Sequence, residues 1–140
     1  MKFDPKNMSL TNVAAIPAQR SARCLRWNPI QENLLAIGLF DGRIIIYDVE
    51  KNKKIQVHQG TEEKILCIEW HPQLVHMLAA GSFDNIIQIL DNNDSEKKKL
   101  KFHTDCVRSL VWSSEIPWML TSGADDSKQV VWDIRNNQCI

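Results

Sequence analysis

One feature limits what this chain can fold into more than any other: the sequence repeats itself. Trp27, Trp70 and Trp112 lie 43 and 42 residues apart, and so do Gly38, Gly81 and Gly123. Asp41, Asp84 and Asp126 each follow the glycine by three residues, and Asp48, Asp91 and Asp133 each follow it by ten. Cys24 and Cys67 stand three residues before their tryptophans, and Ser109 takes that place in the third copy. Units of this length cannot bury an apolar face alone. They are stable when stacked on neighbours of the same kind.

Within each copy the pattern is that of strands. Apolar stretches are short and rich in Ile, Val and Leu, as in Leu34–Leu39 and Ile44–Tyr47. Turn residues bound them: Asn28-Pro29, Asp41-Gly42, Asp84-Asn85 and Asp126-Ser127. No segment sustains a capped helical stripe. Each copy therefore reads as four short strands, with a tight turn at the Asp pair between the second and third. In the third copy the strands are placed at 107–112, 118–122, 129–133 and from Gln138 onward.

A period of 42 to 43 residues closed by an aromatic-Asp pair resembles the WD-repeat family. The third copy is nearest the family pattern, with His103, Ser122, Asp126 and the Trp132-Asp133 dipeptide. The second has Gly60-Thr61 and Leu90-Asp91 at the matching places, and the first has Tyr47-Asp48 without a histidine. The third copy also resembles repeats of large scaffolds with several propellers. The resemblance implies an all-β fold: three four-stranded antiparallel blades of a partial β-propeller, at about 23–58, 64–102 and 103–140. Residues 1–22 are a lead-in, with 10–16 read as the outer strand of a preceding blade. In this family Ser or Thr, His and Asp form a chain of hydrogen bonds ending on the Trp, which assigns a structural network to His103, Ser122, Asp126 and Trp132. Asp41 and Asp84 are the turn aspartates of the other copies, where Ile37 and Ala80 replace the Ser. Those copies must rely more on apolar packing.

Ser122, His103 and Asp126 are also the residue types of a hydrolase triad, but no G-x-S-x-G elbow surrounds the serine. Phe40, Phe83 and Asp125 each precede the turn aspartate. That position is at the rim of one face, so they are the candidate partner-contact residues, set against simple packing on the next blade. The cysteines lack C-x-x-C spacing, and Cys24 and Cys67 read as small buried strand residues. His71 and His76 are placed in the loop between the first and second strands, and His58 near a strand end. Residues 94–101 (DSEKKKLK) read as a solvated loop entering an edge strand, with a phosphate or acidic-partner contact as the other reading.

Composition narrows the function classes. Lys+Arg equals Asp+Glu at 17 each, so no net charge draws a polyanion. No apolar run approaches the roughly 20 residues of a membrane span. There is no glycine-rich phosphate loop and no metal-binding helix. The chain is expected to have no catalytic residues, no metal and no cofactor, and to act as a non-enzymatic scaffold holding unidentified proteins in a complex. RNA binding within an RNA-protein assembly is the alternative. A reducing compartment is expected, the cytoplasm with the nucleus as a second location. Three blades fall short of the roughly four to eight that close a ring. The expectation is a fragment of a longer protein, or a ring completed by another subunit such as a second copy.

Overall fold

The computed structural model describes residues 2–4, 9–11, 15–16, 20–94 and 97–140, with the backbone alone at 2–4 and 9–11. A short antiparallel pair, β1 (Lys2–Asp4) and β2 (Ser9–Thr11), comes first. Of the stretch 10–16, Leu10 and Thr11 fall in β2, Ala15 and Ile16 lie outside any strand, and 12–14 lie outside the described residues.

Three antiparallel sheets follow. The first is β3 (Ala22–Trp27), β4 (Leu34–Leu39), β5 (Arg43–Asp48) and β6 (Lys53–Gln59). The second is β7 (Ile65–Trp70), β8 (Met77–Ser82), β9 (Ile86–Asp91) and β10 (Lys97–Lys101). The third is β11 (Val107–Trp112), β12 (Met119–Ala124), β13 (Gln129–Asp133) and β14 (Gln138–Cys139). In each sheet the strands pair in chain order, and no described residue is helical. The second strand of the third sheet begins one residue later than the sequence pattern suggests. Trp118 stays in the preceding turn, which the Met119 N–H closes by donating to the Ile116 carbonyl at 3.0 Å.

The hairpin turns follow from their residues. Gly42, Asn85 and Ser127 occupy the same turn position, all with positive φ (84°, 71° and 63°). Gly and Asn tolerate that conformation at little cost. At Gly42 there is a second reason: a Cβ would meet the Thr61 carbonyl oxygen at 1.9 Å. The first strand of each sheet also has a register shift at the same place, between Ala22 and Cys24, Ile65 and Cys67, and Val107 and Ser109. The repeat therefore extends to a bulge that the sequence pattern does not show.

The core lies between the sheets. Ala36, Ile44 and Ile46 of the first pack on Ile65, Ile68, Trp70, Leu78, Ala80 and Leu90 of the second. Ala79, Ile87, Ile89 and Leu100 of the second pack on Val107, Leu110, Trp112, Leu120, Val130, Trp132 and Ile134 of the third. Each fully buried Ile or Leu contributes about 1.5–3 kcal/mol. Middle strands are covered on both faces, so β4 and β5 are apolar at nearly every position instead of alternating. The landmark glycines permit this closeness. A Cβ at Gly38 would lie 2.7 Å from Ile65 Cγ2, and one at Gly81 would lie 2.6 Å from Val107 Cγ1.

Candidate interaction face

In the third blade four polar side chains meet. The Trp132 indole N–H donates to Ser122 Oγ at 2.8 Å. Ser122 Oγ and His103 Nε2 are 2.8 Å apart, and His103 Nδ1 lies 2.9 Å from Asp126 Oδ2. With the proton on Nδ1, His103 donates to the carboxylate and accepts from the serine hydroxyl, so no donor is wasted. Asp126 also accepts from the backbone N–H groups of Thr104 and Lys128, both at 3.0 Å. Burial pushes the Asp126 carboxyl up, but these hydrogen bonds and the histidine outweigh it and hold the group at about 2. Phe102 lies edge-on to both His103 and Trp132 and covers the network from outside. Ser122 is only 1% exposed, beneath the indole, so the triad-like distances lie where no substrate reaches.

The second blade differs. Thr61 stays within its own loop, donating to the Glu63 carbonyl at 3.0 Å. Asp84 is met instead by the Ser82 hydroxyl, which also lies 3.0 Å from the Ile86 carbonyl. Asp41 in the first blade is clasped by Arg43, whose guanidinium holds the carboxyl below its usual range. Gln88, 1% exposed, has both amide atoms without a partner. Its side chain sits just over 3 Å from where a Cβ on Gly60 would be.

A second set of polar contacts ties blade to blade, and the sequence reading missed it. The residue after each landmark tryptophan caps the following loop: Asn28 Oδ1, His71 Nδ1 and Ser113 Oγ each accept from two backbone N–H groups. Asn28 Nδ2 also donates to the Val75 carbonyl at 2.8 Å, and His71 Nε2 to the Pro117 carbonyl at 2.7 Å, each in the next blade. Trp70 donates back to the Arg26 carbonyl at 3.0 Å and Trp112 to the Glu69 carbonyl at 3.1 Å. His58 meets Asn92 of the next blade at 2.9 Å, and burial lowers its affinity for a proton. Two lysines of the basic strand β10 are used in the same way. Lys97 donates to the Gln59 carbonyl and Lys98 to the Ile134 carbonyl, one on each side. The thiols of Cys24 and Cys67 face the next blade's backbone, and burial pushes them up to about 11 and about 12. They are inert packing groups at neutral pH.

One end of the blades stays open. Phe40, Phe83 and Asp125 occupy equivalent places there, each donating its backbone N–H to the segment before an inner strand: Ser21, Lys64 and Cys106. Phe40 is 52% exposed and Phe83 41%. The Lys64 ammonium stands between them, 5.2 Å from the Phe40 ring centre and 4.2 Å from that of Phe83. Asp125 is taken up by Arg108, whose Nε and a terminal nitrogen reach one carboxylate oxygen at 2.8 and 2.6 Å, and which lowers the Asp125 pKa. Asp105, Cys106 and Asp125 cluster here, the one such group among the described residues. The arginine already holds the Asp125 carboxylate, and the buried Cys106 thiol donates to the Phe83 carbonyl, so the cluster is an ion pair beside a thiol. Further out, an open hollow of about 600 Å³ is lined by Gln59, Gly60, Thr61, Glu62, Glu63, Asp84, Ile86 and Lys99.

Tandem four-stranded sheets packed face to face define a segment of a β-propeller. Residues 9–73 match the family described as anaphase-promoting complex subunit 4 WD40 domain, and residues 94–133 match the WD domain, G-beta repeat. The chain belongs to the WD-repeat family. It is 45% identical over 40 residues to WD repeat protein iqw1 of Schizosaccharomyces pombe, a stretch covering 29% of this chain and 5% of that protein. Among solved structures it is similar to a chain of the mitotic checkpoint complex, with a TM-score of 0.81 and 25% identity over 98% of this chain and 41% of that one. The RRP9 WD40 repeats and U3-55K each match with a TM-score of 0.80 and 23% identity, over 89% of this chain and 38% and 39% of theirs. At that identity the last two establish the fold alone. The chain spans about two fifths of these solved relatives. Propellers of this family commonly mediate protein interactions and are generally non-catalytic. No helix among the described residues is long and apolar enough to cross a membrane.

Proposed function

We propose that the chain is part of a non-enzymatic scaffold that holds other proteins in a complex, and that it grips them at the rim formed by Phe40, Lys64 and Phe83. The single observation that carries this reading is the pair of exposed phenylalanines at equivalent turn positions of adjacent blades. A hairpin turn does not need an aromatic residue, and two on one face form an anchor of the kind that dominates binding interfaces. His103, Ser122, Asp126 and Trp132 hold the third blade together, and the turn aspartates Asp41 and Asp84 serve their hairpins. The iqw1 match, a small part of that protein, agrees with a larger scaffold. Four free cysteines, three of them in packed surroundings, agree with a reducing compartment, cytoplasmic or nuclear.

The test is affinity capture of the full-length protein with mass spectrometry, comparing wild type with Phe40→Ser/Phe83→Ser. Partners should be lost from the variant while its thermal midpoint is unchanged. An identical partner set would overturn the rim assignment. RNA binding is the weaker reading, because Lys97 and Lys98 are engaged by backbone carbonyls and the net charge is zero. Salt-dependent RNA retention in a filter assay is its signature.

A further inference from the structure

We infer that the Phe40–Lys64–Phe83 rim takes an extended peptide segment in which a carboxylate side chain is flanked by bulky apolar ones. This rests on the scaffold reading above and names the chemistry of its partner. Around the rim, the Asp41 carboxylate is paired with Arg43 and that of Asp125 with Arg108, while Asp84 accepts from the neutral Ser82 hydroxyl. Lys64 has no such pairing. Among the described residues no carboxylate lies within ion-pair distance of it, and its only close partners are the two aromatic rings. Glu62 and Glu63 precede it in the loop but line the hollow further out, beside Lys99.

An ammonium between two exposed rings offers two things at once. The ring faces offer apolar area, and the cation offers a strong donor for an anion that the chain itself does not supply. A carboxylate arriving there keeps the cation–π contacts and adds an ion pair that the aromatic walls partly shield from water. A basic segment would meet Lys64 as a like charge, although phenylalanine faces alone attract cations. The lysine thus selects against the partner that the rings by themselves would favour. An uncharged apolar segment would leave the ammonium covered and unpaired.

The experiment pans a random-peptide library on the whole chain and, in parallel, on Lys64→Glu and Lys64→Arg. On wild type the enriched sequences should place Asp or Glu within two residues of Leu, Ile, Phe or Trp. The leading synthetic peptide should lose affinity by about tenfold or more on Lys64→Glu, keep it on Lys64→Arg, and weaken in high salt. Circular dichroism of each variant establishes that it is folded. Enrichment of basic or uncharged sequences, no enrichment over blank matrix, or an affinity indifferent to Lys64→Glu each overturn the inference. Peptides that need the phenylalanines but ignore Lys64 leave the scaffold reading standing. A capture experiment indifferent to Phe40→Ser/Phe83→Ser removes both.

Discussion

The third and second blades have the same strands, turns and bulge, yet they are held together differently. In the third, the donors of Trp132, Ser122 and His103 pass along one chain that ends on Asp126. In the second, Leu90 stands where the indole would be and Ala80 where the serine would be. With the indole gone there is no buried N–H to satisfy, and an apolar pair packs at no polar cost. The second blade has not completed the exchange, however. Gln88 stands where the third blade has Val130 and the first has Ile45, and its amide is buried without a partner. The lesson is that such a network is stabilising as a whole and costly in part.

The comparison is tested most severely at His103. His103→Ala leaves Ser122 and Asp126 each short of a partner inside the blade, and should lower unfolding free energy by about 2–4 kcal/mol in a denaturant titration. A change below about 0.5 kcal/mol would mean that the network is ornamental. The opposite sign is expected in the second blade. Gln88→Met keeps the length of the side chain and removes two unpartnered polar atoms, so it should raise stability by about 1–2 kcal/mol. If Gln88→Met destabilises the chain, the amide has a partner, such as a bound water, and the contrast between the blades fails at that point.

Much of this architecture was legible in the sequence, and the rest was hidden for a definite reason. The turns could be read because Asp41-Gly42 and Asp84-Asn85 put residues tolerant of positive φ at the second position. Gly38 and Gly81 could be read as landmarks, but their purpose only in space, since the atoms they avoid belong to Cys24 and Cys67 across the strand pair and to Ile65 and Val107 of the next blade. Rim residues Phe40 and Phe83 were found by position, whereas Lys64 was missed because nothing in its own stretch places it between two rings from other turns. The pins from His58 to Asn92 and from His71 to Pro117 join residues 34 and 46 apart, beyond any local pattern. A signal for the second was present: Asn28, His71 and Ser113 follow the landmark tryptophans at the same 43- and 42-residue steps. Lys97 and Lys98 read as solvated charges because a sequence does not show the Gln59 and Ile134 carbonyls of the two neighbouring blades.

The inner strands extend the comparison to the first blade. Trp70 and Trp112 are 4% and 6% exposed, each donating to the blade before it, while Trp27 is 57% exposed. The same residue at the same strand position has a different fate because its neighbour differs. Trp70→Phe should cost about 1 kcal/mol by removing the indole hydrogen bond to the Arg26 carbonyl, and Trp27→Phe less than about 0.5 kcal/mol. Equal losses would show that Trp27 has a partner after all, and the surface it covers could then be mapped by hydrogen exchange.

The mildest effect is expected in acid. Asp126 in the folded chain titrates near 2, against an ordinary value of 3.8. A carboxylate whose folded pKa is depressed adds stability that is complete above the unfolded value, and that stability is lost as pH falls through the folded one. Its contribution should therefore be constant above about pH 5 and disappear between about pH 4 and pH 2. Asp41, Asp48, Asp125 and Asp133 are depressed as well, so an acid limb alone does not identify the third blade. Asp126→Asn isolates its share, because the amide does not titrate, although its one oxygen replaces only one of the two that accept from Thr104 and Lys128. The variant's thermal midpoint should fall less steeply between pH 4 and pH 2 than that of wild type, while Gln88→Met should shift the whole curve without changing its slope. Parallel acid limbs for Asp126→Asn and wild type would mean that the third blade's network adds no pH dependence of its own.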